Sequence, residues 1–148
     1  MATDYNSSNT NTQIKASSDT VRISSEVVDF SSTTNVLNDT FDVIGIPANT
    51  LVLAAGVDVL TADTAGNTGT IAIGDSVDGD QYIAAVAPTS TGQQAALAAP
   101  FAYSSADAIR ITVGTGAINA KVRVWATMIS LDKGGSDADT DAQTVTFS

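Results

Sequence analysis

The residues whose types and spacing could do chemistry sit in one short run, Gly74-Asp75-Ser76-Val77-Asp78-Gly79-Asp80. Three carboxylates within six positions, with glycine to sharpen the turn, resemble the oxygen-rich loops that hold Ca2+. Asp75, Asp78 and Asp80 are therefore a candidate cation site. The EF-hand pattern does not fit, because its glycine and its closing bidentate glutamate are both out of place. The plainer reading of the run is a hairpin turn, with Asp78-Gly79 as a strong signal for a type I′ connection.

For catalysis the chain offers little. It contains no histidine and no cysteine. That removes the commonest general base, the commonest transition-metal ligand and the thiol nucleophile. Serines and threonines are plentiful, yet no histidine stands ready to activate them. Paired aspartates could run glycoside hydrolysis. Such clefts are lined with aromatic rings, and this chain has one Trp, three Tyr and four Phe in all. No glycine-rich phosphate loop occurs. The residues argue against an enzyme and call for no cofactor.

A net charge of −10, with only six Lys and Arg, argues against phosphate-rich partners. Nucleic acids and anionic membranes both need clustered cations, and none cluster here. No basic-flanked apolar run marks a secretory signal, and no segment approaches the roughly 20 apolar residues of a membrane span. Every acidic residue except Glu26 is aspartate. Aspartate favours turns and is a poor helix former, so with abundant Thr and Val it points to strands joined by many turns.

The elements that must position these residues are organised around Thr40–Ala62. Its pattern has period two. Phe41, Val43 and Gly45 point one way, and Asp42, Ile44 and Ile46 the other. Pro47 breaks the ladder and Ala48-Asn49 turns the chain. In the next strand Leu51 and Leu53 alternate with Val52, and Val57 and Val59 with Asp58 and Leu60. Ala54-Ala55-Gly56 suits a bulge or bend, which would let the strand pass between two sheets. Thr20–Phe30 reads as the first strand, with a slip of phase around Glu26-Val27-Val28. Further strands are predicted at Thr70–Ile73, Gln81–Ala87, Phe101–Tyr103 and Asp107–Val113. Gln93–Ala99 fits either two turns of helix or extended chain.

The longest strand is Asn119–Leu131. Val122, Val124, Ala126 and Met128 form one face; Arg123, Trp125, Thr127, Ile129 and Leu131 form the other. A strand with one side in water would keep that second face polar. Its far end therefore predicts a cover, either the chain's own loops or another subunit. Trp125, Ile129 and Leu131 are interface candidates, Trp125 alternatively being part of the core. After an acidic linker, Asp132–Ala142, comes Gln143–Ser148. There Val145 and Phe147 alternate with Thr144 and Thr146, so the segment can pair with its own sheet or with a neighbour's edge. Val145 and Phe147 join the interface candidates.

The fold expected is all-β, a jelly-roll or β-sandwich with flexible N- and C-terminal arms. The division is a polar arm at 1–19, a sandwich at 20–132, and a linker with an arm strand at 133–148. The valine-rich strands near residues 51–62 and 120–131 are expected to lie face to face.

The run from about Phe41 to Leu131 carries Ile46-Pro47-Ala48-Asn49-Thr50-Leu51-Val52, Val57-x-Val59-x-Thr61-Ala62, Ile73-Gly74-Asp75, Asp78-Gly79-Asp80-x-Tyr82-Ile83, Asp107-x-Ile109 and Val122-x-Val124-Trp125. In these it resembles small jelly-roll structural proteins of tailed bacteriophages, especially marine and cyanobacterial podoviruses. The resemblance implies a capsid decoration, or cement, protein: a homotrimer on the outer surface of the virion that bridges subunits of the major capsid protein. Related folds serve as head fibres and tail adhesins, so the alternative is a module that binds a host surface glycan. The resemblance brings no catalytic residues and no cofactor.

Overall fold

The period-two stretches become nine strands in a computed structural model that describes residues 21–64, 66, 68–96 and 100–131. Both expected arms, 1–19 and 133–148, lie outside the described residues, and so do Val145 and Phe147. The strands are β1 (Val21–Asp29), β2 (Thr40–Ile46), β3 (Thr50–Thr61), β4 (Thr70–Gly74), β5 (Ile83–Val86), β6 (Gly92–Ala96), β7 (Phe101–Tyr103), β8 (Asp107–Gly114) and β9 (Lys121–Ser130). A single 3-10 turn, Phe30–Ser32, follows β1.

Every strand pair is antiparallel. β1 lies on β9, β2 on β8, β3 on β6 and then β7, and β4 on β5. Laid flat, this is one long ribbon doubled back at the β4–β5 connection. Rolled up, the ribbon brings β9 beside β3 and β8 beside β4. Two sheets result: a first sheet in the order β1-β9-β3-β6, with β7 also on β3, and a second in the order β2-β8-β4-β5. That order is a jelly roll.

The core lies between the sheets. Val52, Val57, Val122, Val124 and Met128 from the first sheet meet Ile46, Ile71, Ile73, Ile109, Ile111 and Val113 from the second, all essentially without solvent contact. Each such side chain contributes about 1.5–3 kcal/mol by leaving water. Phe30 closes one corner, edge-on to Phe41 at 5.4 Å and 79°. Beside it the buried Asn35 amide acts as a one-residue strand: its Nδ2 donates to the Ile118 carbonyl (2.9 Å) and its Oδ1 accepts from the Ile118 N–H (2.7 Å).

Bulges rephase the strands where simple alternation misplaces residues. A register shift between Asp42 and Ile44 lets Phe41 pack on the core on the same side as Ile44 and Ile46, so the predicted faces of β2 hold only beyond the bulge. In β3 the register shifts twice, between Val52 and Ala54, before the predicted Ala54-Ala55-Gly56, and again between Val59 and Thr61. The first shift places Val52, then Ala55, Val57 and Val59, on the buried face. β3 does not pass between sheets; it pairs with β9 along its whole length. The two valine-rich strands therefore lie side by side, not face to face. β1 pairs without a register shift, so the slip at Glu26-Val27-Val28 lies in the side chains and not in the backbone: Val27 points outward while Val28 packs on the core. Pro47 ends β2 as predicted, and Asn49 turns the chain in the left-handed region (φ 55°). Gln93–Ala96 is extended rather than helical, while residues 97–99 lie outside the described residues.

Candidate functional site

The acidic run forms an eight-residue loop between β4 and β5. It is not a type I′ turn: neither Asp78 nor Gly79 has positive φ. The loop instead folds over Asp75, which points inward and is buried. Asp75 Oδ1 accepts the N–H groups of Val77 and Asp78, both at 2.8 Å. Its Oδ2 accepts the Tyr103 hydroxyl at 2.7 Å. With the Tyr103 proton committed there, the Tyr82 hydroxyl, 2.6 Å away, donates to Tyr103. Ser76 Oγ donates to Asp107 Oδ2 at 2.8 Å, which ties the loop to the start of β8. Gly74 is required for this fold-back, since a Cβ there would run into the Asp78 carbonyl and sit 2.6 Å from the Asp80 nitrogen.

Electrostatics follow from these contacts. Burial pushes the Asp75 carboxyl up, but the Asp78 N–H, the Tyr103 hydroxyl and the Val77 N–H more than offset it and hold its pKa below the usual carboxylate value. Burial drives the Tyr82 phenol up to about 12. Tyr103 is raised further, by burial first and then by its bonds to Tyr82 and Asp75. Asp80 is exposed, and its pKa is raised by the Asp78 carboxylate beside it. Asp75 thus serves as an internal anchor and its oxygens are engaged. Among the described residues no three acidic side chains converge on one point.

The other sequence candidates lie on the outer face of the first sheet. Trp125, half-buried, lies over Gly56 on β3: a Cβ at Gly56 would fall 2.5 Å from the indole Cε2 and 2.8 Å from the Gln94 carbonyl. So Gly56 is there to seat the indole, not to make a bulge. Ile129, also half-buried, stands between Val21 and Leu51 in the register, and Leu131 is 48% exposed just beyond it. The structure adds three residues to this face. Val21, Ile23 and Val27 on β1 are 50%, 72% and 49% exposed. They share the phase of Trp125 and Ile129, while Arg22, Ser24 and Glu26 take the phase of the buried Met128, Ala126 and Val124. β1 is inverted for most of its length: apolar outward, polar inward. The signal was visible in the alternation Val21-Arg22-Ile23-Ser24, but alternation alone does not say which phase faces the core.

The face is graded. Its apolar end holds Val21, Ile23, Ile129, Leu51 and Leu131. Its other end carries ion pairs, Lys121 Nζ to Asp29 at 3.0 Å and Arg123 to Asp58 at 3.9 Å. By contrast, the outer face of the second sheet is polar, with Thr40, Thr112 and Ala72 in one row and Asp42 paired to Arg110 at 2.6 Å in the next.

No family model and no curated protein matches the chain. Solved structures do match it. A chain of the acidic stable capsid of Helicobacter pylori bacteriophage KHP30 aligns over 76% of this chain and 89% of its own, at 12% identity and a TM-score of 0.61. A chain of the capsid of Ralstonia phage GP4 aligns over 75% and 84%, at 17% identity and 0.59. A chain of the cyanophage Pam1 capsid aligns over 74% and 84%, at 21% identity and 0.60. At these identities the likeness is one of fold, and it covers about three quarters of this chain and most of each phage chain.

Proposed function

We propose that this protein is a structural component of a phage virion, without enzymatic activity, that decorates the capsid and bridges subunits of the major capsid protein. The observation that carries the reading is the apolar outer face of β1, β9 and β3, on a jelly roll shared with three phage-capsid chains. A folded domain gains nothing from leaving Val21, Ile23, Val27 and Leu131 exposed beside the half-buried Leu51 and Ile129, whereas an assembly surface does. Trp125, Ile129 and Leu131 are then contact residues, with Val21 and Ile23 beside them. We assign the protein to the outer surface of the particle, as a homotrimer.

The test is sedimentation of the purified chain with capsids of its source virus that lack it, alongside sedimentation equilibrium of the free chain. Binding to capsids and a trimeric mass are the expected results. A chain that stays in the supernatant sinks the decoration reading. If that chain also binds a host glycan on an array, the adhesin alternative takes its place.

A further inference from the structure

β1 is an open edge. In the order β1-β9-β3-β6 it has β9 on one side and no strand among the described residues on the other. It is nine residues long, about 30 Å, and has no proline or bulge to blunt it. Its inverted phase adds a requirement: a strand joining this edge must be apolar on the outer face of the sheet and polar on the inner.

The chain carries such a segment. Gln143-Thr144-Val145-Thr146-Phe147-Ser148 alternates polar and apolar. Placed with Val145 and Phe147 beside Val21, Ile23 and Val27, it sets Thr144 and Thr146 beside Arg22, Ser24 and Glu26. Cross-strand pairs of aromatic or β-branched residues of this kind stabilise a sheet. The exit point is favourable too. The described chain leaves β9 at Leu131, next to Val21, because Val21 pairs with Ile129. β9 already has β1 and β3 as neighbours, so the first open edge the chain meets is that of β1, about 10 Å away across two strand spacings. The linker Asp132–Ala142 has eleven residues and spans up to about 36–40 Å when extended, enough to add in either direction.

We propose that Gln143–Ser148 adds as a further strand to the free edge of β1 in the same molecule, with Val145 and Phe147 extending the apolar outer face of the first sheet. The same molecule is favoured because a short linker holds the segment at an effective concentration in the millimolar range, which a second copy reaches only in concentrated solution. The added strand seals the edge against pairing with other chains and widens the surface available for assembly. This goes beyond the capsid reading and does not depend on it.

The absence of cysteine makes the test clean. Ser24→Cys is combined in turn with Thr144→Cys, Val145→Cys and Thr146→Cys in the full chain. Each variant is oxidised at low micromolar concentration and run on a non-reducing gel, with linked peptides identified by mass spectrometry. The expected result is an intrachain disulfide for one or both threonine positions, severalfold more than for Val145→Cys, whose side chain faces the opposite side. A covalent dimer assigns the segment to a neighbouring copy and overturns the proposal. Equal linkage at all three positions indicates an undocked tether and overturns it too, as does no linkage at all. As a second readout, the double variant Val145→Pro/Thr146→Pro removes the N–H groups of two successive residues, one of which must face β1 in any ladder. It should raise hydrogen exchange at the outward amides of β1 at least tenfold and leave β8 unchanged; unchanged exchange in β1 refutes the docking. Both measurements use the isolated protein, so their failure is separate from a failure to bind capsids.

Discussion

The outer faces of the two sheets are built on the same scaffold and end up chemically opposite. On the second sheet, each strand sends isoleucines and valines inward and leaves Thr, Ala, Asp and Arg outside. On the first, β9 and β3 fill the core equally well, yet their outward positions carry Trp125, Ile129 and Leu51, and β1 turns its apolar side outward altogether. The second sheet follows the rule for a sheet with one side in water. The first breaks it in one contiguous region. The difference teaches that the departure is local and patterned: a packed core supports an apolar surface that the core itself does not need.

The sharpest way to break the comparison is to unseat the indole. Gly56→Ala puts a methyl group where the Trp125 ring and the Gln94 carbonyl already are, and should destabilise the protein by about 3 kcal/mol. Ala72→Val, its counterpart on the second sheet, should stay within about 0.5 kcal/mol. Urea unfolding read by Trp125 fluorescence measures both.

A somewhat smaller effect belongs to Asp75, the buried anchor between the loop and the tyrosines. Asp75→Asn keeps the shape but loses a charged acceptor, at a cost of about 1–3 kcal/mol. The sign with pH is definite. The folded pKa of Asp75 lies below its ordinary 3.8, so its stabilisation is present above that value and is lost as pH falls through the lower, folded one. Tyr82 acts at the other end: its folded pKa of about 12 against an ordinary 10.0 means its contribution is full below 10.0 and fades as pH rises toward 12. Urea midpoints across pH, for wild type and Asp75→Asn, should converge at the acid end. Capsid binding at neutral pH should be unaltered by Asp75→Asn, because the carboxylate is buried.

Next come the two surfaces themselves. Ile23→Asp should leave stability within about 0.5 kcal/mol yet weaken capsid association about tenfold or more. Thr40→Asp on the second sheet should change neither. Equal loss from both substitutions would erase the distinction between the faces. The smallest effect is expected from Asp42→Asn, which removes the exposed partner of Arg110. The change in melting temperature should be barely resolvable at low salt and vanish at high salt.

How much of this was legible in the residues can be traced strand by strand. Val122, Val124, Ala126 and Met128 announced the buried face of β9, and Pro47-Ala48-Asn49 the turn after β2, because period two and the geometry of proline are local facts. The bulge at Val43 was not legible, since one extra residue leaves no mark in composition yet shifts every later side chain. Nor was the lateral pairing of β3 with β9, which depends on how the ribbon rolls. For the acidic run, spacing suggested a cation. Its actual partners, Tyr82 and Tyr103, stand seven and twenty-eight positions away from Asp75, and only the closed barrel brings them within reach. Trp125, Ile129 and Leu131 were picked out as interface candidates from their apolar outward phase. Val21 and Ile23 were missed because alternation alone does not say which side of a strand meets the core.

The jelly roll joins its first strand to its last, with Val21 opposite Ile129 at one corner. A tug on the chain at 21 and 131, directed away from that corner, would load the rungs between β1 and β9 one after another, like a zipper, rather than all together in shear. Tension applied at residues 21 and 131 would therefore part β1 from β9 at low force. Stress spread across the broad sheet loads many rungs at once, so a pull on that surface meets far more resistance than one on the corner.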